Sequence, residues 1–209
     1  MAKSPPVIVV GVTSAGKAAL RRRVLAARRL VADDVRATEA GLFTRHLEPL
    51  VSCHTTVCAY VPVGGEPGSI DMLMALRRCA ARVLLPVARV AADKVPLPLL
   101  WGEYRPGELV RGRWGLLEPP EPWLQESAVA EADLVLVPAL AVDRRGVRLG
   151  KGLGFYDRSL AGMNPHTRLI ALIRDEELVD DLPQEAHDVR MTHVITPARG
   201  LIALPCGND

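Results

Sequence analysis

Between residues 17 and 36 the apolar side chains Leu20, Val24, Ala27, Val31 and Val35 return at steps of three and four, the period of an amphipathic helix. The other face carries six Lys or Arg between residues 17 and 29, and Arg22, Arg23, Arg28 and Arg29 read as solvated surface. Residues 56–63 are rich in β-formers, Ser69 stands where it can cap a helix reaching Ala81, and residues 82–87 form a short apolar run closed by turn formers. Strand, helix and strand in that order predict a crossover unit with parallel strands.

Further along, residues 134–138 form an apolar run of the kind a strand covered on both faces requires. A glycine-rich turn over residues 146–154, a short helix, and strands over residues 168–173 and 193–196 complete the pattern. Residues 94–122, rich in Pro and Gly and holding Trp101, Tyr104 and Trp114, predict an irregular insertion with short antiparallel strands, a segment suited to walling a site. The class expected is α/β: a three-layer αβα fold on a mostly parallel, doubly wound sheet, with its ligand site beyond the carboxyl ends of the strands. The loops after Val63 and Pro138 are the leading candidates.

Composition narrows the picture. With 209 residues, 49% hydrophobic and 24% charged, the chain can bury a core without disulfides or metals and is not of the disordered or fibrous kind. Residues 1–14 are a candidate flexible N-terminal segment and residues 15–209 a single α/β domain. The 26 basic and 24 acidic residues leave a net charge of +2, which argues against nucleic acid as a partner. The uncharged apolar stretches fall short of the roughly 20 residues that span a bilayer, so no membrane role is expected and the cytoplasm is the expected compartment. A monomer is the default. Cys53, Cys58, Cys79 and Cys206 show no metal or redox spacing and read as buried thiols, and the scattered histidines suggest no nucleophile and base.

Two segments carry candidate chemistry. Gly11-Val-Thr-Ser-Ala-Gly16-Lys17-Ala18 nearly satisfies G-x-x-x-x-G-K-[ST], but Ala18 lacks the hydroxyl that would hold magnesium. A P-loop-type NTPase using Gly11 to Lys17 therefore stands only as an alternative, and Lys17 and Arg21, four apart on one helix face, can instead reach one polyphosphate together. The second segment, from Asp143 to Arg158, joins four glycines in close succession to several cations: glycine lets backbone N–H groups approach phosphate oxygens, Arg148 and Lys151 can neutralise charge, and Asp157 can hold a magnesium ion. From the residues alone, a nucleotide triphosphate site and a tight strand-to-helix connection with solvated charges are equally open.

Several separated features together resemble the 5-formyltetrahydrofolate cyclo-ligase family, also called 5,10-methenyltetrahydrofolate synthetases. They are Lys17-Ala-Ala-Leu20-Arg21, Tyr60-Val-Pro-Val-Gly-Gly-Glu66, Trp114-Gly-Leu-Leu-Glu118-Pro119, the approach from Asp133 to Asp143, the run from Arg148 to Arg158 that fits R-L-G-x-G-x-G-[YF]-Y-D-[RK], and His187-Asp188 with Val194-Ile195-Thr196. The resemblance implies a NagB/RpiA/CoA transferase-like sheet and a ligase forming a carbon–nitrogen bond. Such an enzyme cyclises 5-formyltetrahydrofolate to 5,10-methenyltetrahydrofolate in one-carbon metabolism, with ATP as co-substrate, Mg2+ as cofactor, and ADP and phosphate released. It further implies that Lys17, Arg21 and the stretch Arg148, Leu149, Gly150, Lys151, Gly152, Leu153, Gly154, Phe155 and Tyr156 bind ATP, with Arg148 and Lys151 acting on the transferring phosphoryl group. Asp157 and Asp188 are then the metal ligands, and Val61, Glu66 and Trp114 contact the folate. Leu153, Ala139, Val142 and Thr192 depart from residues common in the family, so a catalytically weakened folate-binding relative is a second alternative.

Overall fold

The computed structural model describes residues 14–161, 163–185 and 188–205. His187, Cys206 and residues 1–13, with Gly11 among them, lie outside these. The helix expected over residues 17–36 is two helices, α1 (Ser14–Leu30) and α2 (Asp33–Leu47), separated at Ala32, whose extended backbone (φ −65°, ψ 153°) breaks the run. Asp33 and Asp34 then open α2 with the negative charge that a helix N-terminus favours. The buried stripe of α1 also differs from the expected one: Ala27 faces solvent, and Arg28, expected on the surface, is buried with Val24. Leu20, Val24 and Arg28 recur every fourth residue, so the guanidinium continues the inward face. It is admitted there because Arg28 Nε and Nη2 donate to the two Glu177 carboxylate oxygens (2.7 Å each) and Nη2 also donates to Ala139 O (2.8 Å).

After α2 come β1 (Thr56–Cys58), α3 (Ile70–Cys79) and β2 (Arg82–Val87), the crossover unit read from the pattern, with Ser69 Oγ accepting from Met72 N (3.1 Å) as the expected cap. Then follow β3 (Leu100–Glu103), β4 (Val110–Arg111), β5 (Leu117–Glu118), β6 (Leu134–Pro138), β7 (Ala141–Asp143), β8 (Arg148–Leu149), α4 (Phe155–Leu160), β9 (Arg168–Leu172), β10 (Leu178–Val179), β11 (His193–Thr196) and β12 (Gly200–Ala203). The main sheet runs β12-β11-β9-β6-β1-β2-β3, with five parallel strands inside and the antiparallel strands β12 and β3 at its edges. Two corrections follow. Residues 94–122 are not all insertion, since β3 completes the sheet and only the β4–β5 hairpin projects from it. Cys53 is exposed and Cys79 half-buried, leaving Cys58 as the buried thiol among the described residues.

Alternating side chains of each strand serve opposite faces. Leu134 and Leu136 join Phe43, Leu47, Leu73 and Leu76 under α2 and α3, whereas Val135 and Val137 meet Trp101, Val129, Leu160 and Met191 on the other face. A small third sheet, β10-β7-β8, packs beneath α1 through Leu140, Val147, Leu149 and Leu182. Because chain order passes from β1 to β2 on one side and from β6 to β9 and β11 on the other, β1 and β6 flank the point where the winding reverses. Ligands of doubly wound sheets bind there, beyond the carboxyl ends. No helix among the described residues is long and apolar enough to cross a membrane.

Candidate functional site

A cavity of about 350 Å³ opens at that switch point, beyond Cys58 and Pro138. Every candidate site residue from the sequence lies on its wall: Lys17, Arg21, Val61, Glu66, Trp114, the stretch from Arg148 to Tyr156, Asp157 and Asp188. The described end of the P-loop-like segment, Ser14 to Lys17, is already helical, where a P-loop needs an open loop around the phosphates. Lys17 instead faces the carboxylates of Glu185 (3.0 Å) and Asp188 (3.6 Å) across the cavity.

The cationic half is built on a braced turn. Asp143, fully buried, accepts from the backbone N–H groups of Arg145, Val147 and Leu182 (2.9 to 3.0 Å), and Gly146 at φ +87° packs so close to Met191 O that no side chain fits. This delivers Arg148 into the wall, where Nη2 donates to Asp157 Oδ1 (2.6 Å) while Nε and Nη1, though buried, have no partner among the described residues. Burial pulls the Arg148 pKa below its ordinary value, and the Asp157 carboxylate opposes that pull. Arg21 Nε donates to Gly150 O (2.9 Å), and its guanidinium lies against Gly152, whose φ of +96° suits glycine. Arg21 therefore reaches the glycine loop, while Lys17, one turn earlier on α1, stands on the cavity wall beside Glu185 and Asp188.

The opposite half comes from the loop after β1 and the β4–β5 hairpin. Glu66 Oε2 accepts from Val63 N (3.0 Å), and Oε1 is paired with Lys151 Nζ at 2.6 Å. Tyr156 lies between the halves: its hydroxyl is buried without a partner among the described residues, and burial, reinforced by the Glu66 charge, pushes its pKa above the ordinary value. Trp114 is 56% exposed at the rim, its ring edge-on to Phe155 at 6.2 Å. The loops after β1 and β6 are held from behind by one buried ionic network. Arg28 grips Ala139 O, while Arg174 donates to Gly65 O (3.3 Å) and to the Glu39 carboxylate (2.9 Å), and Glu177 Oε2 accepts from Arg174 N (2.8 Å).

Sequence reasoning assigned no role to several further wall residues, among them Tyr60, Leu140, Glu118 and Glu185. Glu118 carried a signal, an acid inside the apolar run Leu116-Leu117-Glu118-Pro119, whereas nothing in the pattern distinguishes Glu185 from other surface acids. The departures sort by position. Leu153 is at the rim and 60% exposed, Ala139 and Val142 are buried, and the Thr192 hydroxyl, away from the cavity, joins β9 by accepting from Leu169 N (2.9 Å) and donating to Leu169 O (3.1 Å).

The doubly wound α/β sheet thus sets, at its switch-point cavity, a glycine-and-cation cradle opposite a carboxylate and aromatic wall. The chain belongs to the 5-formyltetrahydrofolate cyclo-ligase family, whose sequence pattern matches residues 13–197. It is 55% identical over 188 residues to the 5-formyltetrahydrofolate cyclo-ligase of Mycolicibacterium smegmatis, covering 90% of this chain and 97% of that one. The Escherichia coli 5-formyltetrahydrofolate cyclo-ligase is 33% identical over 153 residues, 72% of this chain and 82% of its own. The fold is similar to that of Aquifex aeolicus 5,10-methenyltetrahydrofolate synthetase, with a TM-score of 0.73 at 23% identity over 92% of this chain and 95% of that one.

Proposed function

We propose that this protein cyclises 5-formyltetrahydrofolate to 5,10-methenyltetrahydrofolate at the expense of ATP, as a cytoplasmic monomer. The observation that carries the reading is the 2.6 Å contact of Lys151 with Glu66, which brings the glycine loop and the carboxylate loop to one cavity, as a reaction between two bound substrates requires. Lys17, Arg21, Arg148 and Lys151 supply charge for the phosphates, and the two unpaired donors of Arg148 are preorganised for oxygens that gain charge during transfer. Glu66 is the acceptor for the donor edge of the pterin, and Val61 and Trp114 supply its apolar contacts. No side chain need act as nucleophile.

Magnesium bound with a nucleotide takes one or two carboxylates and fills its shell with phosphate oxygens and water. Asp157 and Asp188 both open on the cavity, and no cluster of three or more potential ligands stands among the described residues, so the donor set suits an ion arriving with a triphosphate. Bound there, the ion would neutralise phosphate charge; the chain's own part is to hold Asp157 on Arg148 and to set Asp188 beside Lys17. The test is to mix the protein with 5-formyltetrahydrofolate, magnesium and ATP and follow the absorbance of the methenyl product. An ATP-dependent rise supports the reading; folate binding without a rise would replace it with a binding-only relative.

A further inference from the structure

Glu118 is the wall residue with the least evident reason to be there: it is only 6% exposed, yet it borders the cavity. It ends β5 opposite Val110 of β4, and the turn between the two strands passes through Trp114 at φ +59° and Gly115 at φ +73°. A bulky side chain in left-handed backbone persists only where its surroundings dictate it. Within the turn, Gly112 N donates to Leu116 O (2.8 Å). Outside it, the Glu118 carboxylate provides the tie: Oε1 accepts from Ala88 N just past β2 (3.4 Å), and Oε2 fills the space a Cβ on Gly112 would take. Gly112 itself has φ −87°, a value open to any residue, so space and not backbone freedom demands glycine there.

We infer that Glu118 is the positioning residue of the folate wall: wedged between Ala88 at the end of β2 and Gly112 at the root of the turn, its carboxylate sets Trp114 over the cavity. Trp114 touches Phe155, the first residue of α4 after the glycine loop, so its setting fixes the gap between the folate wall and the phosphate cradle. The inference rests on the functional reading above. A glutamine keeps the length of the side chain and an acceptor for Ala88 N, and is a fair replacement.

The test compares steady-state kinetics and melting temperatures of wild type, E118A, E118Q, G112A and the G112A/E118A double variant. E118A should raise the KM for 5-formyltetrahydrofolate about tenfold with the KM for ATP unchanged, and E118Q should stay within about twofold of wild type. G112A should reproduce E118A because its methyl displaces the carboxylate, and the double variant should be no worse than either single one. An unchanged folate KM in E118A, equal rises in both KM values, a glutamine variant as impaired as alanine, or strictly additive defects would each overturn the role. If E118A does not fold, E118Q and G112A still decide it. Wild-type protein that neither turns over nor binds 5-formyltetrahydrofolate would sink the functional reading and the inference with it, whereas an active wild type with an unaffected E118A sinks the inference alone.

Discussion

Arg148 is paired with Asp157 and keeps two buried donors without a partner among the described residues, donors that on the proposed function meet the phosphate oxygens. Replacing it with lysine keeps the charge but loses the planar fork, so R148K as well as R148A should lower kcat by about a hundredfold or more, measured in the ATP-dependent assay. Asp157→Asn should likewise lose magnesium-dependent turnover, and full activity in that variant would remove Asp157 from the metal site. Glu118 gives a stability signature. Its folded pKa is raised above the ordinary 4.5, so its contribution is present below 4.5 and lost as pH rises through the folded value. Urea unfolding across pH should show wild type losing stability relative to E118Q in that window; a pH-independent difference would mean that Glu118 titrates normally. The glycines and cations of the cradle were legible because their types are chemically demanding. Arg28 was not, because an arginine among arginines carries no mark of the carboxylate that buries it, and Glu177 is 149 residues away.

Among elements, α1 shows how a helix can be read correctly as a helix and incorrectly as a surface. Its inward stripe passes from Lys17 and Arg21 at the cavity, through Leu20 and Val24 on the small sheet, to Arg28 under both switch-point loops. Removing one partner leaves a buried charge alone, so E177A should cost about 3–5 kcal/mol in chemical denaturation, more than a surface pair would. A loss under about 1 kcal/mol would mean that water reaches Arg28. The crossover unit and the inner parallel strands were legible because each is a sustained apolar run. The strands β7, β8 and β10, two or three residues long, are shorter than any period can reveal, and β12 is fixed by its pairing with β11 and not by its own sequence. The break at Ala32 escaped the pattern because the helical period continues across it, leaving Asp33-Asp34 as the only sign.

For the molecule as a whole, winding order places the site: with β1 and β6 as neighbours, the loops after them meet whatever their sequence, and α1 closes the cavity from the amino-terminal side. A cavity formed by segments from residue 17 to residue 188 exists only in the folded chain, so ligands should stabilise it globally. Each substrate at about one hundred times its Kd should add about 2.7 kcal/mol, read as a rise in melting temperature. On the proposed function, the pairing of Lys151 with Glu66 links the binding of the two substrates. Before either substrate binds, each charge occupies the other, and a triphosphate that draws Lys151 away leaves Glu66 open to the folate, just as a folate that engages Glu66 releases Lys151. The two affinities must then rise by one common factor, whichever substrate comes first. Calorimetric titration of 5-formyltetrahydrofolate with and without a non-hydrolysable nucleotide should show that factor, and in Lys151→Ala it should fall toward unity, with folate alone binding the variant more tightly than wild type.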